Sequence, residues 1–237
     1  MRVTPANIRH AIAHPFRAIR YLCYRDVIAY STIARYLPPN PVIVEAGAHD
    51  GTNTVEMAEF WTGATVHAFE PLPAAADVVD GKIRRFGSRV HCHRLGLGPR
   101  NGSIEMHVSG DGSSGASQSS SMLEPTTTQL KEFPDIPFGL HQTVQMRTID
   151  SWADAHGVDR VDFLWLDMQG YELEALSGAT RMLPGVSAIH MEVCNVELYH
   201  RAPLYTDVKR RLAAWRFRPV VEAIFRVSGN VLFARTT

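Results

Sequence analysis

The stretch that most constrains this chain is Val42-Ile43-Val44-Glu45-Ala46-Gly47-Ala48-His49-Asp50-Gly51. A β-branched run meets an acid, two glycines bracket three residues, and a helix-like segment begins at Thr52. β-branched residues in a short apolar run favour a buried strand. Gly47 and Gly51 let the backbone turn sharply and come close to a ligand, beside the free N–H groups of a helix start. In open α/β sheets ligands gather at such carboxyl ends of strands. The spacing is E-x-G-x-x-x-G rather than the G-x-G-x-x-G that rests a pyrophosphate on a helix start. Acids at Glu45 and Asp50 would repel a pyrophosphate, so the turn suits a cationic amino or sulfonium group. The plain alternative is an ordinary strand–turn–helix corner.

The alternation continues downstream. Strands are expected at Val42–Ala46, Thr65–Phe69, Val90–Arg94, Val161–Asp167 and Ser187–Val193, with helices at Thr52–Trp61, Ala74–Phe86, Ser151–His156 and Tyr171–Leu183. Such alternation argues for parallel strands joined by right-handed crossovers. Arg218–Phe225 and Asn230–Arg235 read as a closing hairpin, and an antiparallel strand at the end of a parallel sheet is common. Residues 109–121 are rich in Gly and Ser, the composition of a lid or a disordered loop. A helical, basic extension is expected over 1–38, ending at Pro38-Pro39-Asn40-Pro41, and one catalytic domain over 39–237.

Two further acids fall at strand ends. Glu70, in Val66-His67-Ala68-Phe69-Glu70-Pro71, stands where an acid accepts both hydroxyls of a ribose; its plain alternative is a helix-cap carboxylate. Asp167 closes Val161-Asp162-Phe163-Leu164-Trp165-Leu166-Asp167, and Gln169-Gly170 then opens a helix; Asp167 is also well suited to be that helix's cap.

In this order "VIVEAGAHDGTNT", "VHAFEPLP", "SSSML", "VQMRTIDSW" and "VDFLWLDMQGYELEALSGA" resemble the FkbM family of S-adenosylmethionine-dependent methyltransferases, over Val42 to Glu192. The resemblance implies an α/β fold: the class I methyltransferase, Rossmann-like, doubly wound sheet of seven strands with an antiparallel last strand. It implies S-adenosylmethionine as cofactor and methyl transfer to a hydroxyl of a sugar, glycolipid or polysaccharide precursor. Carried over by position, Glu45, Gly47, Ala48, His49 and Gly51 line the methionine and ribose side. Glu70, with Pro71 beside it, holds the ribose, Leu95 and Gly96 border the adenine, and Asp167 sits near the reacting methyl. Many members carry lysine two residues before this aspartate; Trp165 stands there in this chain.

A sugar hydroxyl is a weak nucleophile, so a general base should contribute about 10²–10⁴-fold. Asp167 and Glu192 qualify by position. His190, two residues before Glu192, shares its face by strand alternation and has the side chain that titrates nearest neutrality. Ser119, Ser120, Ser121, Gln169 and Tyr199 are the expected acceptor contacts. A divalent ion of the magnesium type stays an open alternative with no ligand set of its own. Two other readings are a Rossmann-like NAD-dependent oxidoreductase and a non-catalytic docking module.

Composition narrows the partners. Lys+Arg and Asp+Glu both number 24, so no global nucleic-acid footprint is expected. The balance is uneven: residues 1–40 hold six arginines against Asp26, a charge of +5, and such an arm suits peripheral contact with a membrane surface or an anionic partner. No apolar run reaches the ~18 residues of a membrane span, no signal-peptide pattern opens the chain, and Cys23, Cys92 and Cys194 form no framework. A cytoplasmic location is the expectation.

Overall fold

The structure is a computed structural model that describes residues 28–110 and 119–236. The expected helical extension over 1–38 and the Ser-rich stretch over 109–121 therefore lie partly outside the described residues. What is described of the former is α1 (Tyr30–Ile33) followed by a 3₁₀ turn at Ala34–Tyr36.

Ten strands follow: β1 (Val42–Ala46), β2 (Thr65–Phe69), β3 (Val90–His93), β4 (Gly96–Leu97), β5 (Gly102–Ser109), β6 (Phe138–Arg147), β7 (Phe163–Leu166), β8 (Ala188–Cys194), β9 (Phe217–Ile224) and β10 (Ser228–Arg235). Between them lie α2 (Thr52–Phe60), α3 (Pro73–Ile83), α4 (Thr127–Glu132), α5 (Ile149–His156), α6 (Glu172–Ser177) and α7 (Tyr205–Ala214). Seven strands form the main sheet in the order β3-β2-β1-β7-β8-β10-β9. Neighbours from β3 to β8 run parallel, while β10 is antiparallel to both β8 and β9.

Both faces of this sheet are buried, which is why its central strands are apolar almost throughout. On one face Val44, Leu164, Leu166, Ile189 and Met191 pack under Trp152 of α5, Leu176 of α6 and Leu212 of α7. On the other, Ile43, Phe163, Trp165 and Ala188 pack under Met57 of α2 and Val79 of α3. The order reverses between β1 and β7, and that switch point is where an open α/β sheet offers a crevice.

A second sheet, β4-β6-β5, is inserted between β3 and α5. Its apolar side, Met106, Val144 and Met146, packs with Leu72, Ala75, Met122 and Tyr171. At the β2–β3 edge four imidazoles gather: His67 Nδ1 lies 3.1 Å from His93 Nε2, His91 stacks on His67 at 5.0 Å between centroids, and His156 meets His93 edge-on at 4.9 Å. Burial and the neighbouring imidazoles hold His67 down to about 3 and His93 down to about 4, so these two rings pack neutral.

Candidate active site

The loop after β1 is built by close approach. Gly47 has φ +85°, and a Cβ there would sit 1.9 Å from the Asp167 carbonyl oxygen, so the loop passes directly over the end of β7. Gly47 and Ala48 donate their N–H groups to the Phe69 carbonyl at 3.1 and 3.0 Å, fixing the loop to the end of β2. Gly51, at φ +74°, is the N-cap of α2 and lies 3.3 Å, by the same measure, from Val79. The glycines thus serve the crossing of backbone and helix first, and any ligand second.

Glu70 is buried and staples two turns. Its Oε2 accepts the His49 N–H at 2.8 Å and its Oε1 the Leu72 N–H at 2.9 Å. Burial raises its carboxyl above the usual range. Each oxygen keeps a second lone pair, so the group still fits a pair of ribose hydroxyls. Pro71 is half-buried beside it. Gly96 opens β4, where a Cβ would meet the mobile tip of Met122 at 2.1 Å, and Leu95 packs half-buried against the main core.

The electrostatic reading of the first loop needs correction at both its acids. Glu45 is fully enclosed beneath α2; its Oε2 accepts a short bond from the Thr54 hydroxyl and its Oε1 has no partner. Burial pushes it up to about 8, so it is mostly neutral at pH 7. Asp50 is held well below the usual carboxylate range by its bond with His49 first, then by Lys82 Nζ at 2.7 Å and by the Thr52 N–H, which it accepts at 3.0 Å. Any negative lean of the crevice comes instead from the far side of the loop.

There, at the ends of β7 and β8, two carboxyls share one amide. Gln169 Nε2 donates to Asp167 Oδ1 at 2.8 Å and to Glu192 Oε2 at 2.7 Å. Desolvation raises both carboxyls; the charges of Asp167 and Glu172 raise Glu192 further, and the hydrogen bond between the two carboxyls lowers Asp167 while raising Glu192, so Glu192 is the favoured proton carrier of the two. Glu172, buried at the start of α6, accepts the Met168 and Gly170 N–H groups at 2.8 and 3.2 Å and is pushed up to about 7 by burial. Gln169 is held at φ +54°, a left-handed conformation uncommon for a side-chain-bearing residue.

The expected acceptor residues meet this pair from the other side. Tyr199 is 1% exposed; its hydroxyl lies 2.8 Å from the Ser119 carbonyl and 3.1 Å from Gln169 Oε1. Ser121 donates from Oγ to the Gln169 carbonyl at 2.9 Å, and Ser120 Oγ accepts the Ser109 N–H at 3.0 Å. Asp167, Gln169, Glu192, Tyr199, Ser119 and Ser121 therefore form one network, while Ser120 is bonded to Ser109 beside it.

His190 is not part of that network. Its ring stacks on Trp165 with centroids 3.7 Å apart, both nitrogens lack partners, and burial holds it down to about 3. Alternation does put residues two apart on one face of the sheet, but Glu192 is reached at the strand's end, while His190 lies within the core row of Glu45, Trp165 and Leu232. The geometry therefore argues against a base role for His190. Trp165 fills this core. Among the described residues no group of three or more His, Cys, Asp or Glu side chains is arranged to hold a metal ion. The contribution of Thr54, of the His49 N–H and of Gln169 as a bridge had no distinct signal in the sequence.

Seven strands in this order, with the strand next to one edge antiparallel, define a class I methyltransferase fold. The chain belongs to the FkbM methyltransferase family: residues 45–219 match the model of the Methyltransferase FkbM domain. It is 28% identical over 162 residues to the 2-O-methyltransferase NoeI of Sinorhizobium fredii, covering 68% of this chain and 66% of that protein. It is 28% identical over 159 residues to Methyltransferase sdnD of Sordaria araneosa, covering 60% and 61%. The chain thus spans slightly less than two thirds of these relatives. Solved structures similar to it include the fibrillarin/Nop5p complex, with a TM-score of 0.49, 13% identity and coverage of 84% of this chain and 75% of that one. Another is M. capricolum TrmK in complex with S-adenosyl-homocysteine, at 0.46, 7%, 89% and 70%.

Proposed function

We propose that this chain is an S-adenosylmethionine-dependent O-methyltransferase whose acceptor is a hydroxyl of a sugar, glycolipid or polysaccharide precursor. The observation that carries the reading is the Asp167–Glu192 pair, joined by Gln169, beside the Gly47 loop, whose His49 N–H is held by Glu70. The activity of one relative, the 2-O-methyltransferase NoeI, supports oxygen as the acceptor atom.

The residues fit the cofactor. Glu70 would hold the ribose, and the loop from Gly47 to Gly51 would border the methionine portion. The bound cofactor supplies a methyl on a sulfonium, ready for in-line displacement. This chain's own part is to position the acceptor and move a proton. Asp167, the more ionised of the pair, accepts the hydroxyl proton through Oδ1 or Oδ2. Glu192 keeps the shared proton and Gln169 holds both carboxyls in register. Tyr199 and the Ser119–Ser121 segment exclude water on the far side. Proximity of this kind is worth up to about 7–11 kcal/mol in ideal cases.

Calorimetry with S-adenosylhomocysteine and with NAD separates this reading from an oxidoreductase, and labelled methyl transfer to a pooled glycan fraction separates it from a docking module. Binding of S-adenosylhomocysteine with turnover is expected. NAD binding alone, or cofactor binding with no acceptor in any glycan or lipid-linked glycan pool, would sink it. The basic arm over 1–38 is proposed to bring the domain to an anionic surface. No helix among the described residues is long and apolar enough to cross a membrane.

A further inference from the structure

We infer that Tyr199 is a positioning residue that acts through Gln169, fixing which end of the amide faces Asp167 and Glu192. The inference rests on the reading of that pair as the bearer of the catalytic base.

An amide has two unlike ends. With nitrogen toward the carboxyls, as here, Gln169 donates one N–H to each. That arrangement favours ionised oxygens. Turned about, the amide oxygen would face both carboxyls and demand a proton from each, leaving no base. Charge-assisted bonds to Asp167 and Glu192 alone do not lock the amide, because its preference then follows whatever protonation the pair has. The lock must come from the other end, and Tyr199 supplies it: its hydroxyl donates to Gln169 Oε1 at 3.1 Å. A phenol has one proton, and the Ser119 carbonyl at 2.8 Å competes for it. When the proton goes to Ser119, the phenol oxygen becomes an acceptor and invites the amide nitrogen, which is the turned arrangement.

The network therefore has two self-consistent states, and the position of Ser119 biases the choice between them. The backbone supports this role. Gln169 sits at φ +54°, and its carbonyl is tied down by Ser121 Oγ at 2.9 Å, one residue pair away from the Tyr199–Ser119 contact. An uncommon conformation held by specific bonds is a constraint that the surroundings maintain. The remaining titratable neighbours of the pair are His49 from the loop after β1, Glu45 from β1, Glu172 from α6 and Cys194 from the end of β8.

The test is carboxyl ¹³C NMR of the full chain across pH, with Asp167 and Glu192 assigned by Asp167→Asn and Glu192→Gln. The wild-type pair should titrate in two separated steps. Tyr199→Phe keeps the ring and removes the lock. It should raise the midpoints of both steps, the lower by roughly one pH unit, a tenfold gain in proton affinity. Gln169→Leu should raise them at least as far. If Tyr199→Phe leaves both midpoints at their wild-type values, Tyr199 has no positioning role and the inference fails. Should Tyr199→Phe not fold, Gln169→Asn serves instead: its shorter amide does not reach both Tyr199 and the pair, and the same rise is expected, with an unmoved titration overturning the idea. S-adenosylhomocysteine calorimetry on the wild type reads the methyltransferase assignment separately, since absent binding would remove that assignment while the titration still decides the role of Tyr199.

Discussion

Glu70 shows how one side chain does two jobs. It was legible as a ribose acceptor from its place at a strand end, but its bonds to the His49 and Leu72 N–H groups were not, because they depend on a loop folding back across the sheet. Hydrogen bonds to a charged group are worth about 1.5–3 kcal/mol, or roughly 10- to 100-fold in affinity. Glu70→Ala should weaken S-adenosylhomocysteine binding by that range while far-UV circular dichroism stays unchanged; an unaltered affinity in calorimetry would contradict the ribose role. Glu45 makes the opposite case, an acid in the motif that the fold keeps neutral. Its folded value of about 8 lies above the ordinary 4.5, so the folded chain binds more protons than the unfolded one between those values. Stability is then lost as pH rises through that window. Glu45→Gln should remove this loss, and its stability gain over wild type, from urea titrations at pH 5.5, 7 and 8, should grow with pH. Parallel curves would show that Glu45 ionises freely in the folded state.

At the scale of elements the deciding feature is how tightly loops cross strand ends. Gly47→Ala should cost about 1–3 kcal/mol for overpacking against the Asp167 carbonyl, and about 1–2 more for its left-handed backbone. A variant as stable as wild type in urea would mean the loop has room to move aside. The same crowding explains where the sequence reading stopped short. β1 and β2 were legible to the residue, since buried runs bounded by turn residues admit one register. The helix expected from Tyr171 to Leu183 runs only from Glu172 to Ser177; at its C-cap Gly178 passes so close to the Gly98 carbonyl, just after β4, that a Cβ there would lie 2.2 Å from it. That sheet itself was missed. Along β6, Gly139, Leu140, His141, Thr143 and Gln145 are exposed or half-exposed, so apolar periodicity is weak where only one side packs. α7 was missed for a related reason: its buried side is Tyr205, Val208 and Leu212 alone, amid a run of charged residues. The carboxyl pair was legible as two acids at two strand ends, whereas the amide joining them depends on the backbone of Gln169.

For the molecule as a whole, two sets of buried titratable groups pull on stability from opposite sides. His67 and His93, at about 3 and 4 in the folded chain, bind fewer protons there than when unfolded. Their contribution is complete near pH 6.5 and is lost as pH falls toward those values. Glu45 and Glu172, at about 8 and 7, bind more, and their contribution is lost as pH rises from 4.5. Above pH 6.5 only the second set acts, so the free chain should melt at a lower temperature at pH 8 than at pH 6.5. A bound cation should offset that loss. S-adenosylmethionine carries a sulfonium where S-adenosylhomocysteine has a neutral sulfur, and the two are otherwise nearly the same shape. If the sulfonium lies beside Asp167, Glu172 and Glu192, its advantage should widen as these groups ionise, by roughly three- to tenfold in affinity between pH 6 and pH 8, the size of a partly screened ion pair. Melting shifts with each ligand at matched saturation measure this directly. A gap that stays constant across pH would place the sulfur away from the carboxyls, and the crevice between β1 and β7 would then owe its choice of ligand to shape rather than to charge.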